Sequence, residues 1–254
     1  PNRKRSTYRK SPMQALNKLV AIGSTVLLAV TLIAAGFAAV SVPDWATVAL
    51  SRAFSGCDQP LTPFTHDELT SMAVAGKHYT FDSNNADELN EAIAAANASA
   101  EADGRATVIG EASETRRLPA DAISHLDDVY RVVSVAKPAL AVIAVLCIAG
   151  LAHVAVRINR RALGRVLIAG GAFALAAFAA LGIWALVDFY GLFGVFHSLF
   201  FQAGTWTFSL DSLLITLYPT AFWMGMAGIW LAVTCGLSIL AVLVGFTLGH
   251  KQHD

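Results

Sequence analysis

FYGLFGVFHSLFFQAGTWTFSLDSLLITLYP, residues 189–219, joins two long apolar runs and holds neither Lys nor Arg. Six aromatic side chains, Phe193, Phe196, Phe200, Phe201, Trp206 and Phe208, surround a single imidazole, that of His197, along this stretch. Rings of this kind collect at the headgroup layer of a membrane, which accommodates an apolar body and a polar edge together. An ordinary connecting loop has no use for such a composition. The stretch therefore reads as a segment at or just inside a membrane boundary, with a span on either side.

Those two flanks, 164–188 and 220–248, are each long enough to cross a hydrocarbon core of about 30 Å, which takes roughly 20 apolar residues. Two further runs, 18–41 and 134–156, meet the same criterion. With 56% hydrophobic residues and 14% charged in a chain of 254, the composition excludes an ordinary soluble domain. The expected architecture is an α-helical polytopic membrane protein with four transmembrane helices.

Cations set the expected orientation, because Lys and Arg beside spans stay on the cytoplasmic side. Arg3, Lys4, Arg5, Arg9, Lys10 and Lys18 precede the first span, Arg157, Arg160, Arg161 and Arg165 crowd the connection around 157–163, and Lys251 follows the last span. Both the basic tail 1–17 and the short tail 249–254 are thus expected in the cytoplasm, and 42–133 and 189–219 outside. Of the eighteen acidic residues only Asp254 falls on the cytoplasmic side, so a formal net charge of zero conceals a separation of sign. The alternative for the first run, a cleaved secretory signal, fits less well: the run is longer than a usual signal core, and VSVPDWATVA after it is a poor cleavage site.

The outer region, 42–133, is poor in large apolar side chains and reads as a small mixed α/β domain between the first and second spans. Thr65 before His66-Asp67-Glu68 is a helix N-cap with acids in the first turn, and 84–100 is an Ala-rich helix. HYTF at 78–81 and ATVIG at 106–110 have the alternation and β-branching of short strands. Pro119 then opens a helix that runs toward the second span, with Pro138 either kinking or restarting it, while Ser209 or Asp211 starts a helix before a kink at Pro219.

Topology brings two histidines to the same membrane face. His125 lies before the second span and His197 after the third, and an imidazole there exchanges protons near neutral pH, as acid/base catalysis requires. Asp128, at i+3, shares a helical face with His125 and is placed to orient its ring, and Arg131 to pair with Asp127 or Asp128. An exposed charged helix face explains HLDDVYR equally well. Zinc held by three of His66, His78, His125 and His197 has no spacing motif behind it, and no G-x-S-x-G elbow offers a serine nucleophile. The three cysteines, Cys57, Cys147 and Cys235, form no disulfide framework.

Four spans, a modest outer domain, SHLDDVYRVV at 124–133 and VFHSLFFQAGTWTFSLDSLLITLYP at 195–219 together resemble a family of bacterial integral membrane proteins that includes the lipoprotein intramolecular transacylase. The resemblance implies an acyltransferase of the bacterial cell membrane. It implies that the sn-2 acyl chain of a diacylglyceryl-modified N-terminal cysteine moves to the α-amine of that cysteine, giving a lyso-form lipoprotein. By the same resemblance His125 and His197 are the catalytic pair, and Asp128, Trp206 and Asp211 fall within the two motifs. A protonated His197, the Trp206 indole N–H and Arg131 are candidate oxyanion donors, while Phe196, Phe200 and Phe201 are expected to hold lipid tails. Membrane lipid and a diacylated lipoprotein are the expected partners, and no cofactor, metal or nucleic acid is expected.

Overall fold

The computed structural model of the chain describes residues 12–59, 62–108 and 113–250. Every regular element among them is helical. In chain order these are α1 (Pro12–Ser41), α2 (Trp45–Phe54), α3 (His66–His78) with a π-helical turn at Tyr79–Ser83, α4 (Ala86–Ala102), a 3-10 turn at Arg105–Val108, the short α5 (Ser113–Arg116), α6 (Ala120–His153) with a π-helical turn at Val154–Ile158, α7 (Arg160–Val187), α8 (Phe189–Ser198), α9 (Leu213–Leu217) and α10 (Thr220–His250).

Four helices, α1, α6 with its π-helical extension, α7 and α10, are long and apolar enough to cross a membrane. Val142, Ile148, Ile183 and Leu243 stand exposed on them. Apolar side chains facing outward along whole helices call for lipid as their solvent, so this is a multi-pass membrane protein. α6 begins well before the apolar run and continues unbroken through Pro138 rather than restarting there. Pro219 precedes α10 instead of kinking it, its carbonyl accepting from the amides of Phe222 (2.9 Å) and Trp223 (3.3 Å).

The mixed α/β reading of 42–133 is corrected: no strand occurs among the described residues. At 78–81 the helix does not end but loosens into the π-helical turn, which buries the adjacent side chains Tyr79 and Thr80. A strand would have sent these neighbours to opposite faces. The second strand reading, 106–110, is a 3-10 turn over Arg105–Val108, and its last two residues lie outside the described residues. Strong helix signals decided the outcome. Thr65 and Glu68 form a full capping box on α3, and the Asn85 side chain caps α4 by accepting from the amide of Asp87 (2.9 Å). The basic tail read at 1–17 lies outside the described residues up to residue 11.

The chain divides into two compact units. The first comprises Pro1–Ala35, Leu140–Phe178 and Thr234–Asp254. Here small residues let helices approach closely: a Cβ on Gly164 of α7 would stand 2.6 Å from the Gly245 carbonyl oxygen of α10, and one on Gly171 2.7 Å from that of Ser238. Between helices in lipid, where burial of apolar surface gives little drive, such close packing is a main source of association.

The second unit comprises Gly36–Ala139 and Ala179–Val233. Its core is built from α3, α4, the first turns of α6, and α9: Leu69, Met72, Ala100, Leu213 and Leu217 form one buried cluster, and Tyr79, Leu89, Ala122, Leu126 and Leu214 another. Lys77, only 8% exposed, donates from Nζ to Asp44 Oδ1 (2.8 Å) and to the Val42 carbonyl (2.6 Å), which ties α3 to the start of α2. On the neighbouring residue, His78 contacts Glu88 (2.8 Å) through Nδ1 and Asp44 (3.1 Å) through Nε2.

Candidate active site

His125 sits in the second turn of α6, and local chemistry fixes that start: Pro119, whose carbonyl accepts from Ile123 (3.1 Å), ends the extended approach, and Asp121 Oδ1 accepts from the Ala122 amide (2.8 Å). Ala122 and Leu126 pack into the core beside Leu214, so the helix cannot rotate about this turn without losing buried contacts. The His125 ring is 8% exposed, and its Nδ1 has no hydrogen-bond partner.

His197 lies in the last turn of α8. Asp188 caps that helix, accepting from the Gly191 amide at 2.8 Å, and a Cβ on Gly191 would come within 2.0 Å of the same carboxylate. His197 Nδ1 donates to the Phe193 carbonyl (2.8 Å), which fixes the tautomer and leaves Nε2 as the basic nitrogen. Burial lowers the proton affinity of this imidazole below the ordinary histidine value, an effect that the Phe193 carbonyl partly offsets.

After α8 the chain folds back on itself. The amides of Phe200 (3.1 Å) and Phe201 (2.8 Å) both donate to the His197 carbonyl, and Gly204, at φ +88°, takes a left-handed conformation that side chains rarely adopt. This return lays the Trp206 indole 4.9 Å from the His197 ring, centroid to centroid, and carries Phe208 to 5.6 Å from His125. Ser212, not Ser209 or Asp211, is the N-cap of α9, which anchors the returning strand of chain through Leu213, Leu214 and Leu217.

The two imidazoles thereby meet. Their centroids are 6.2 Å apart with the planes inclined by 27°. Phe201 borders both, edge-on to His125 at 5.0 Å and 5.7 Å from His197, and Phe193 lies 4.0 Å from His197. Of the other residues expected here, Phe196 and Phe200 pack on each other at 5.2 Å and stand 46% and 49% exposed.

One expected contact does not form, and Arg131 takes Asp128 of the two acids considered for it. Asp128 does not hydrogen-bond His125; it accepts from Arg131 (2.9 Å), whose side chain is 76% exposed. A fully charged guanidinium one turn along the exposed face outcompetes an imidazole turned inward. Asp127, the other acid considered for Arg131, accepts from the buried Tyr79 hydroxyl (2.5 Å) instead. Asp211 accepts from Ser209 and is exposed. Nor do the four outward histidines gather: His66 is exposed at the start of α3, and His78 is held by Glu88 and Asp44.

Phe193 and Phe208 belonged to the aromatic belt in the sequence without a separate role, and the structure sets each against one imidazole. Tyr79 was missed altogether as a support for the His125 turn. Its bond to Asp127 spans 48 residues, and no local pattern announces it.

Residues 106–223, which include both histidines, match the family model described as lipoprotein intramolecular transacylase Lit. No curated protein matches the chain. Among solved structures, the membrane-integral lipoprotein intramolecular transacylase Lit from Bacillus cereus is similar at 17% identity with a TM-score of 0.70, covering 94% of this chain and 98% of that one. Two variants of the same Bacillus cereus protein, with a histidine replaced by alanine or by arginine, are similar at TM-scores of 0.66, again at 17% identity and 94% of this chain, and cover 96% and 95% of theirs. At that identity the likeness is one of fold.

Proposed function

We propose that this protein is an acyltransferase of the bacterial cell membrane that converts diacylated lipoproteins to the lyso form by moving the sn-2 acyl chain of the diacylglyceryl-cysteine to its α-amine. The single observation that carries the reading is the pairing of His125 with His197, at 6.2 Å between centroids, among aromatic rings that contact both. The family match over 106–223 supports the same chemistry.

The reaction needs an amine, an ester and a route for one proton. The α-amine, with a reference pKa of about 7.7–8.0, gives its proton to an imidazole as its nitrogen attacks the sn-2 carbonyl carbon. The tetrahedral centre collapses, the bond to the glycerol oxygen breaks, and that oxygen takes a proton back from an imidazole. Atoms balance with no co-reactant. Donor and acceptor belong to one molecule, so holding them together in a confined site yields the large effective concentration of an intramolecular reaction.

No enzyme nucleophile is called for, and the neighbouring serines fit that view: Ser124 is exposed, and Ser198 donates to the Val195 carbonyl (2.7 Å). Half-exposed Phe196 and Phe200 suit contact with acyl tails, and the pair of half-buried Asp128 and exposed Arg131 suits the polar part of the substrate. The positive-inside pattern supports termini in the cytoplasm, and with them the histidine pair at the outer leaflet.

The test is incubation of the purified protein with a synthetic diacylglyceryl lipopeptide. Amide-linked product is expected from the wild type and none from His125→Ala or His197→Ala. Product from both variants at the wild-type rate sinks the histidine assignment, and no product from folded wild type on a validated substrate favours a non-catalytic lipid- or protein-binding module.

A further inference from the structure

We infer that the indole N–H of Trp206 is the hydrogen-bond donor that receives the oxyanion formed at the sn-2 carbonyl. The inference rests on the acyl-transfer reading and adds to it the group that stabilises the transition state.

Most hydrogen-bond donors near the paired rings are already committed. His197 Nδ1–H is committed to the Phe193 carbonyl. The Tyr79 hydroxyl donates to Asp127, the Tyr218 hydroxyl to the Ala73 carbonyl (2.7 Å), and Ser209 to Asp211. Arg131 is engaged by Asp128 and exposed, outside the ring cluster. Two buried polar atoms here lack a partner: His125 Nδ1, whose ring belongs to the proton-transferring pair, and Trp206 Nε1. Of these only the indole is a donor in every protonation state, and it has no acceptor capacity to confuse its role.

A buried indole N–H left unpaired costs free energy, and in folded proteins such groups ordinarily find a partner. This one is held in place rather than left adrift. Its ring lies 4.9 Å from that of His197, and the far edge of its six-membered ring faces Gly194 of α8, where a Cβ would stand 3.8 Å from Cη2. A buried donor fixed beside the base and without a partner until charge develops is the arrangement that favours a transition state over a bound ester. In the reacting complex the amine nitrogen bonds to the carbonyl carbon, the carbonyl π electrons move onto its oxygen, and Trp206 donates to that oxygen while keeping its own proton. Collapse restores the carbonyl and breaks the carbon–glycerol oxygen bond.

The test replaces the donor and keeps the ring. Trp206→Phe, and incorporation of a benzothiophene side chain at position 206 that preserves indole shape without the N–H, are compared with wild type on the lipopeptide, with detergent-solubilised melting temperature as the check on folding. Loss of one oxyanion donor lowers kcat by about 10²–10³-fold with KM unchanged, whereas a merely structural ring leaves the benzothiophene protein near wild type. Retention of kcat to within about threefold in that protein overturns the inference. A phosphonate lipid with tetrahedral phosphorus in place of the sn-2 carbonyl carbon gives a readout apart from turnover. Wild type is expected to bind it more tightly than the parent ester, and the benzothiophene protein to lose that preference; an equal preference in both proteins also overturns the inference. Should the wild type yield no amide-linked product, the acyl-transfer reading falls, and the phosphonate comparison still decides whether this N–H receives an oxyanion.

Discussion

An imidazole that donates from Nδ1 to a helix carbonyl presents Nε2 as a base, and His197 is held in that form by Phe193 at 2.8 Å. Burial among rings lowers its proton affinity, with the Phe193 carbonyl acting the other way. The sign of the linked stability follows. With the folded-state pKa below the unfolded value of about 6.5, the contribution is fully present above that pH and is lost as pH falls through the lowered folded value. Melting temperatures of wild type and His197→Gln, followed from pH 7 to pH 5 in detergent, are expected to diverge, with wild type falling faster. Parallel curves contradict the assignment. At this scale the sequence was informative about which residues matter and silent about what they touch. Six rings around one histidine mark the site in 189–219. That Phe201 borders both imidazoles, or that Asp128 turns to Arg131, depends on how α8 folds back beside α6.

Among the elements, α3 carries the clearest record of local chemistry prevailing. Its N-cap was legible at Thr65, and the structure adds the reciprocal Glu68 bond of a capping box and Arg105, which donates to both oxygens of Glu68 (3.0 and 2.9 Å) and stitches the turn after α4 to the start of α3. Burial of the Glu68 carboxyl works against its ionisation, but the Arg105 and Thr65 hydrogen bonds outweigh this and bring its pKa down to about 2. At the other end of α3, Lys77 is buried with Asp44 as its close partner, and that bond, opposed by burial and helped by His78, lowers the Asp44 pKa. Removing Asp44 leaves the buried cation with only the Val42 carbonyl and Asp82 at 4.0 Å, whereas an apolar replacement of the cation strands no buried charge. Asp44→Ala is therefore expected to lower the melting temperature more than Lys77→Met, and the reverse order contradicts the buried-charge account. The strand readings failed for a related reason. Four or five alternating residues specify a strand only when a sheet edge is there to receive them, and the strong N-caps at Thr65 and Asn85 had already given the surrounding chain to helices.

For the molecule as a whole, the four spans were the most legible feature, because a run of some 20 apolar residues has few ways to be solvated other than by lipid. In the proposed topology, drawn from the positive-inside pattern, the α2–α4 region and the histidine pair are expected to face the outside. Native cysteines test this without mutation: Cys57 is exposed in the α2–α3 connection, while Cys147 is buried. A membrane-impermeant maleimide is expected to label Cys57 on intact cells, and labelling only after permeabilisation inverts the topology. The packing that brings α6 and α8 together was beyond reach of the sequence. It shows in the His125–His197 ring contact, made between residues 72 apart, while Leu126 against Leu214 and Tyr79 against Asp127 hold the start of α6 in the core. The central claim, that the paired histidines serve an internal acyl shift, is tested most directly by a lipopeptide carrying an isotopically labelled sn-2 chain, incubated with the protein and fragmented in a mass spectrometer. The account predicts unchanged total mass with the label on the cysteine α-amine. Label retained on the glycerol, or released as free fatty acid, contradicts it.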